Sequence, residues 1–185
     1  MPSWRQSLVK SLHKTRSIPE SRYFQIATAN REGVPFCRTV VHRGLTDDNK
    51  LLVISDTRTD KYQQLSENNR CHVSWYFAKT REQYRFNCIA SMVTKVEQPD
   101  LVEAQWEKLS DAGKKQFLWG RPGTPRQDES ALNIEGDYSI VPAHFCVLSL
   151  NIENVDYLNL RGNPQHREWH EKDENDNWVS QSVIP

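Results

Sequence analysis

Ser55, Thr57, Arg58, Thr59 and Lys61 stand between an aliphatic run and a helical pattern, and they are the first residues of this chain that suggest chemistry. Leu51 to Ile54 read as a short apolar strand, and Tyr62 and Leu65 then stand three apart, as on one helical face. A helix start exposes N–H groups without intrahelical acceptors and carries the positive end of the dipole, so it is a seat for anions. Hydroxyls donate to phosphate oxygens, while Arg and Lys supply countercharge. The plain alternative is that Thr59 only caps the helix and the basic side chains are solvated.

The flanking segments weigh against that alternative. Upstream, Phe36 to His42 alternates like a half-buried strand and carries Arg38, with Arg43 just beyond it. An arginine on a strand that faces a core is costly unless an anion or carboxylate meets it. A regular strand would put Arg38 and Arg43, five apart, on opposite faces, so both serve one ligand only if the strand ends or bulges near Gly44. Downstream, Gln83 starts a strand with Arg85 on its side and Tyr84 and Phe86 on the other. Glutamine donates and accepts in one side chain, which suits the edge of a heterocyclic ring.

Taken in order, these residues resemble the FMN-binding split barrels of the pyridoxamine 5'-phosphate oxidase type. Arg38 and Arg43 stand where that family has an Arg and a Lys, and Ile54-Ser55 where it ends a strand on an aromatic or aliphatic residue plus a hydroxyl. Thr59-Asp60-Lys61 takes the place of Ser-Arg-Lys at a helix start, Gln64-Leu65 follows on that helix, and Trp75 and Gln83 come at the expected distances. The resemblance is closest over residues 36–86 and continues more loosely to the C-terminus. It implies a mainly β fold with peripheral helices, an antiparallel Greek-key split barrel, and a homodimer with FMN at the interface. It also implies that FMN is held by Arg38, Thr39, Val40 and Arg43, by Ile54, Ser55, Arg58, Thr59 and Lys61, and by Gln83 and Arg167.

The departures from the family pattern concern the substrate more than the cofactor. Asp60 replaces a basic residue, with Arg58 on the same turn as the expected compensation, and Arg43 keeps the charge of the family's Lys but not its compact amine. The family holds a substrate phosphate with a Tyr, an Arg four later and a Ser four beyond; here these are Phe117, Arg121 and Pro125. Arg121 is thus the candidate substrate residue, the alternative being a loop arginine paired with a carboxylate such as Asp128. Near the C-terminus Leu158 takes the place of a flavin-facing Trp, and Arg167 that of an Arg beside the flavin, with pairing to Glu168 or Glu171 as the alternative.

At 185 residues the chain suits a single domain spanning 1–185, with a leading helix over 3–14 and closing strands over 144–182. Lys plus Arg and Asp plus Glu number 24 each, and this neutrality argues against a broad nucleic-acid footprint. Cys37, Cys71, Cys88 and Cys146 lack zinc spacing and fall in apolar strand-like segments, so they read as reduced core cysteines. The six histidines show no metal-ligand pattern. No run is long and apolar enough for a membrane span and no signal-like segment opens the chain, so the expected location is cytoplasmic.

Strands are expected over 22–29, 34–43, 51–55, 71–77, 83–96, 144–152 and 155–160, with helices over 59–68 and from Pro99, and a closing hairpin across 173–177. Residues 120–137 suit a loop over a site. The leading functional expectation is an FMN-dependent oxidoreductase acting on a small molecule. A non-catalytic FMN-binding carrier or sensor is the alternative, and a nucleic-acid-binding β-barrel is the third reading, prompted by Arg81, Tyr84, Arg85 and Phe86. No residue stands out as a catalytic acid or base.

Overall fold

The structure, a computed structural model, describes residues 1–126, 129–132 and 135–185. Helix α1 (Ser3–Lys14) leads into strands β1 (Tyr23–Ala29), β2 (Pro35–Val41), β3 (Gly44–Leu45) and β4 (Lys50–Asp56). Helix α2 (Asp60–Glu67), strands β5 (Arg70–Phe77) and β6 (Glu82–Val93), and helices α3 (Pro99–Glu107) and α4 (Asp111–Lys115) follow. Strands β7 (Phe145–Asn159), β8 (His166–Lys172) and β9 (Trp178–Val183) close the chain. The strands pair in the order β2-β1-β5-β6-β7-β4-β3, with β8 on β7 and β9 on β8, every pair antiparallel.

Alternation along the strands builds the barrel interior. Phe24, Ile26, Val73, Trp75, Tyr84, Phe86, Leu148 and Leu150 point inward and exclude water, and Trp4 and Leu8 of α1 pack onto this core. The run Leu51 to Ile54 is apolar throughout because β4 is covered on both faces. Leu51 and Val53 join the barrel core, while Leu52 and Ile54 face a second core with Val102 and Trp106 of α3.

Two expectations need correction here. The segments expected as separate strands over 144–152 and 155–160 are one strand. Between Cys88↔Ile152 and Asn87↔Asn154 the register of β6 on β7 skips Glu153, a bulge that shifts the alternation and mimics a break in sequence. At that bulge β7 changes its second partner from β4 to β8. Cys71, Cys88 and Cys146 are buried, but Cys37 is exposed, because the face of β2 that carries it lies outside the barrel. Among the described residues no helix is long and apolar enough to cross a membrane, and no group of three or more His, Cys, Asp or Glu is placed to hold a metal.

Candidate functional site

The turn from β4 into α2 is held by its own side chains. The Thr59 hydroxyl accepts from the Tyr62 N–H at 3.4 Å and donates to the Asp56 carbonyl at 2.7 Å, so Thr59 is the helix cap and its one hydroxyl proton is committed. The Asp56 carboxylate accepts from the Arg58 backbone N–H at 2.7 Å and from its guanidinium through Nε at 3.0 Å and Nη2 at 2.7 Å. Arg58 Nη1 donates to the Trp119 carbonyl at 3.2 Å. Burial pushes the Asp56 carboxyl up, but these bonds to Arg58, helped by nearby His144, hold it below the usual carboxylate range. Arg58 therefore faces Asp56 and does not replace the basic residue missing at Asp60.

Arg38, Thr59, Asp60, Lys61 and Gln64 line a cavity of about 260 Å³ with Phe36, Pro122 and Gly123. Arg38 lies opposite Ile26 on the inward face of β2, and donates to the Thr28 hydroxyl at 2.6 Å, the Gln64 side-chain carbonyl at 2.9 Å and the Ile26 carbonyl at 3.3 Å. All three acceptors are neutral. Burial lowers the Arg38 pKa, with Cys37 and Asp60 pulling the other way. Burial and then Arg38 lower that of Lys61. Among the described residues no carboxylate forms an ion pair with either cation. Two half-buried cations beside a capped helix start make a seat for an anion.

The other expected cofactor residues divide. Val40 and Ile54 pack into the two cores, and Thr39 is exposed on the outer face opposite Gln25. Ser55 is buried opposite Cys146, and its hydroxyl has no partner among the described residues. Strand β2 ends at Val41, so Arg43 leaves the alternation; its neighbour in charge is Arg22, and its buried Nε also lacks a partner. The preceding His42 packs on Trp75 at 4.8 Å, and burial drives its pKa to about 4, so it is neutral at pH 7.

Gln83, Leu158 and Arg167 sit directly opposite one another across β6, β7 and β8. Tyr84 and Tyr157 point inward, so this row lies on the outer face of the wall, while Arg38 lies on the inner one. A single chain does not bring the row to the pocket. Arg167 pairs neither with Glu168 nor with Glu171. Its Nε and Nη2 donate to Asp156 at 3.0 and 2.8 Å, and Arg85 donates to the same carboxylate. The sequence reading missed Asp156, although an acid among the apolar residues Val155 to Leu158 signals a buried ion pair.

Arg121 is exposed on a neighbouring cavity of about 210 Å³ that shares Pro122 and Gly123 with the first. Phe117 turns away into the second core, edge-on to Trp106 and Phe145. Asp128, the alternative partner for Arg121, lies outside the described residues.

The family model for the pyridoxamine 5'-phosphate oxidase FMN-binding domain matches residues 1–94. The chain belongs to this family. It is 30% identical over 168 residues to pyridoxine/pyridoxamine 5'-phosphate oxidase 2 of Arabidopsis thaliana, covering 86% of this chain and 84% of that protein. Its fold superposes with a TM-score of 0.93 on a pyridoxamine 5'-phosphate oxidase-related, FMN-binding protein from Nostoc punctiforme, 34% identical, covering 100% of this chain and 99% of the other. PhzG from Burkholderia lata, at 16% identity and a TM-score of 0.80, covers 99% of this chain and 91% of its own and shares the fold. The split-barrel expectation is thereby met, and the cofactor is FMN. The cavity's chemistry fits a phosphorylated ligand, since Arg38 and Lys61 line it and neither is ion-paired among the described residues. The Ser55 hydroxyl and Arg43 Nε, also without partners among the described residues, lie outside that lining.

Proposed function

We propose that this chain is an FMN-dependent oxidoreductase of cytoplasmic location, acting as a homodimer on a small molecule. The carrying observation is the pairing of Arg38 and Lys61 in one cavity at the start of α2, where Asp60 also lines the wall but no carboxylate among the described residues forms an ion pair with either cation. In this reading they hold the FMN phosphate, and Thr59 acts by capping, which keeps the first N–H groups of α2 aimed at the same anion. Ser55 and Arg43 supply further donors. Gln83, Leu158 and Arg167 serve the ring. Because that row lies on the opposite face of the wall, the reading requires the pocket of one subunit and the row of its partner to enclose each cofactor. Bound FMN would supply two-electron, hydride-accepting chemistry, and the protein supplies binding, orientation and field.

Arg121 stands beside the pocket as an attraction for an anionic substrate, but the hydroxyls that would accompany it are missing. Phe117 is committed to the second core, and Pro125 has no donor. A site that lacks donors for a group does not discriminate in its favour. We therefore expect pyridoxamine 5'-phosphate, in whose oxidation the Arabidopsis relative is named, to be at best a poor substrate here. The test is anaerobic mixing of the FMN-loaded protein with pyridoxamine 5'-phosphate, following bleaching of the oxidised flavin. Slow or absent bleaching is the expected result; fast, saturable bleaching at micromolar substrate overturns the substrate assignment. An FMN-loaded protein that no amine or nicotinamide reduces would instead be a carrier or sensor.

A further inference from the structure

We propose that Asp156 is a positioning residue that presents the Arg167 guanidinium to the flavin, with Arg85 as the brace that keeps the pair cationic. The inference rests on the reading of Gln83, Leu158 and Arg167 as the row that faces the ring.

Three observations carry it. First, Asp156 is the acid of this outer face that is buried, its side chain 8% exposed, and both its oxygens are used. Arg167 meets it as a fork, Nε on Oδ1 and Nη2 on Oδ2, which fixes the plane of the guanidinium as a single bond does not. Second, the fork engages one edge of Arg167 and leaves Nη1, whose contact is the Ile184 carbonyl at 3.4 Å. Third, charge is conserved by design of the array. One carboxylate facing one guanidinium would be neutral, but Arg85 adds a second guanidinium to the same carboxylate, leaving one net positive charge. His72 nearby adds none at neutral pH, because burial and then Arg85 lower its pKa. The array therefore both orients Arg167 and keeps the field that an anionic, electron-accepting cofactor needs.

Asp156→Asn separates positioning from charge by sign. It removes a negative charge, which through the field alone would tighten binding of an anionic cofactor and raise its reduction potential. Loss of positioning does the opposite. We expect D156N to weaken FMN binding about tenfold to a hundredfold, the scale of a charged hydrogen bond, and to lower the two-electron potential of bound FMN. Arg167→Ala should move both quantities the same way, and the double variant should go little further than either single one. Arg85→Ala should also lower the potential, by neutralising the array. Glu103→Gln on α3 breaks an exposed ion pair with Lys95 and serves as the control, leaving both quantities unchanged. The measurements are fluorescence titration of FMN into apoprotein, a dye-linked redox titration, and the melting temperature of the apoprotein. A potential in D156N that rises or stays at the wild-type value overturns the inference, as does a fall in apoprotein melting temperature with no change in potential. If D156N fails to fold, Asp156→Glu keeps the charge and displaces the fork by one methylene. A lowered potential in that variant supports the inference, and a wild-type potential overturns it. A wild-type protein that binds no FMN overturns the proposed function instead.

Discussion

Arg38 and Arg167 are both half-buried arginines on strands of one sheet, yet their surroundings differ in kind. Arg38 donates to Thr28, Gln64 and a backbone carbonyl, and among the described residues neither it nor its cationic neighbour Lys61 forms an ion pair with a carboxylate. Arg167 meets a buried carboxylate through two bonds and shares it with Arg85. Under the proposed function the first arrangement is completed by an anion from outside. The second is internally compensated and has only a residual charge to offer. On that reading the contrast gives the two regions different work: one would hold the charged end of a ligand, and the other would tune what is placed beside it.

The largest effect should come from emptying the first region. Arg38→Ala with Lys61→Ala removes two charged donors, each worth about 1.5–3 kcal/mol, so FMN affinity should fall by roughly two to four orders of magnitude. The variant should lose flavin on gel filtration and with it the ligand-dependent part of its melting temperature. Full FMN occupancy in that variant would erase the distinction between the regions.

Next in size is Asp56→Asn, which disturbs a compensated pair inside the ligand-binding half. Its carboxylate is buried and forks onto Arg58, so stability should fall by about 1–3 kcal/mol in urea titrations. The folded pKa of Asp56 lies below its ordinary value. Its contribution is therefore complete above the unfolded value of about 3.9 and is lost as pH falls through the folded one. The acid limb of the stability curve should flatten in the variant, and an unchanged limb would show that Arg58 finds another partner.

A smaller effect of opposite sign is expected at Lys61. A largely buried cation without an ion pair among the described residues costs the apoprotein stability, so Lys61→Met should raise apoprotein stability by about 1 kcal/mol and, under the proposed function, weaken FMN binding. Burial and Arg38 depress the Lys61 pKa. Apoprotein stability should then rise with pH between that depressed value and the ordinary lysine value of about 10.4, and the variant should lose the rise. Destabilisation of the apoprotein by K61M would mean that Lys61 has a structural partner.

The smallest change is expected in the row of Gln83, Leu158 and Arg167 proposed to face the ring. Gln83→Leu should leave stability within about 0.5 kcal/mol. One neutral hydrogen bond to the ring is worth about 1 kcal/mol, or roughly 20 mV in a two-electron potential. An identical potential and FMN affinity would return Gln83 to a purely structural place on β6.

Much of this protein was legible in one dimension. Local alternation and capping chemistry located β1, β2, β4, α2 and β5 within a residue or two, because side-chain period and Thr59 act over a single turn or strand. The basic and hydroxyl residues at the start of α2 announced an anion seat for the same reason. What the chain could not announce were relations across strands. The bulge at Glu153 looked like a break, since only the facing strand β6 reveals that one residue was skipped. Arg58 and Thr59 promised donors to a ligand, but the Asp56 carboxylate takes the Arg58 guanidinium and the Asp56 carbonyl takes the Thr59 proton. Arg167 looked toward its sequence neighbours Glu168 and Glu171, and the register of β7 on β8 handed it to Asp156 instead. The sequence by itself determined which residues prefer strand, helix start or core, because those preferences are local free energies. Tertiary structure alone decided which charges meet a carboxylate and which do not, because that depends on which carboxylate the sheet brings within a few ångströms.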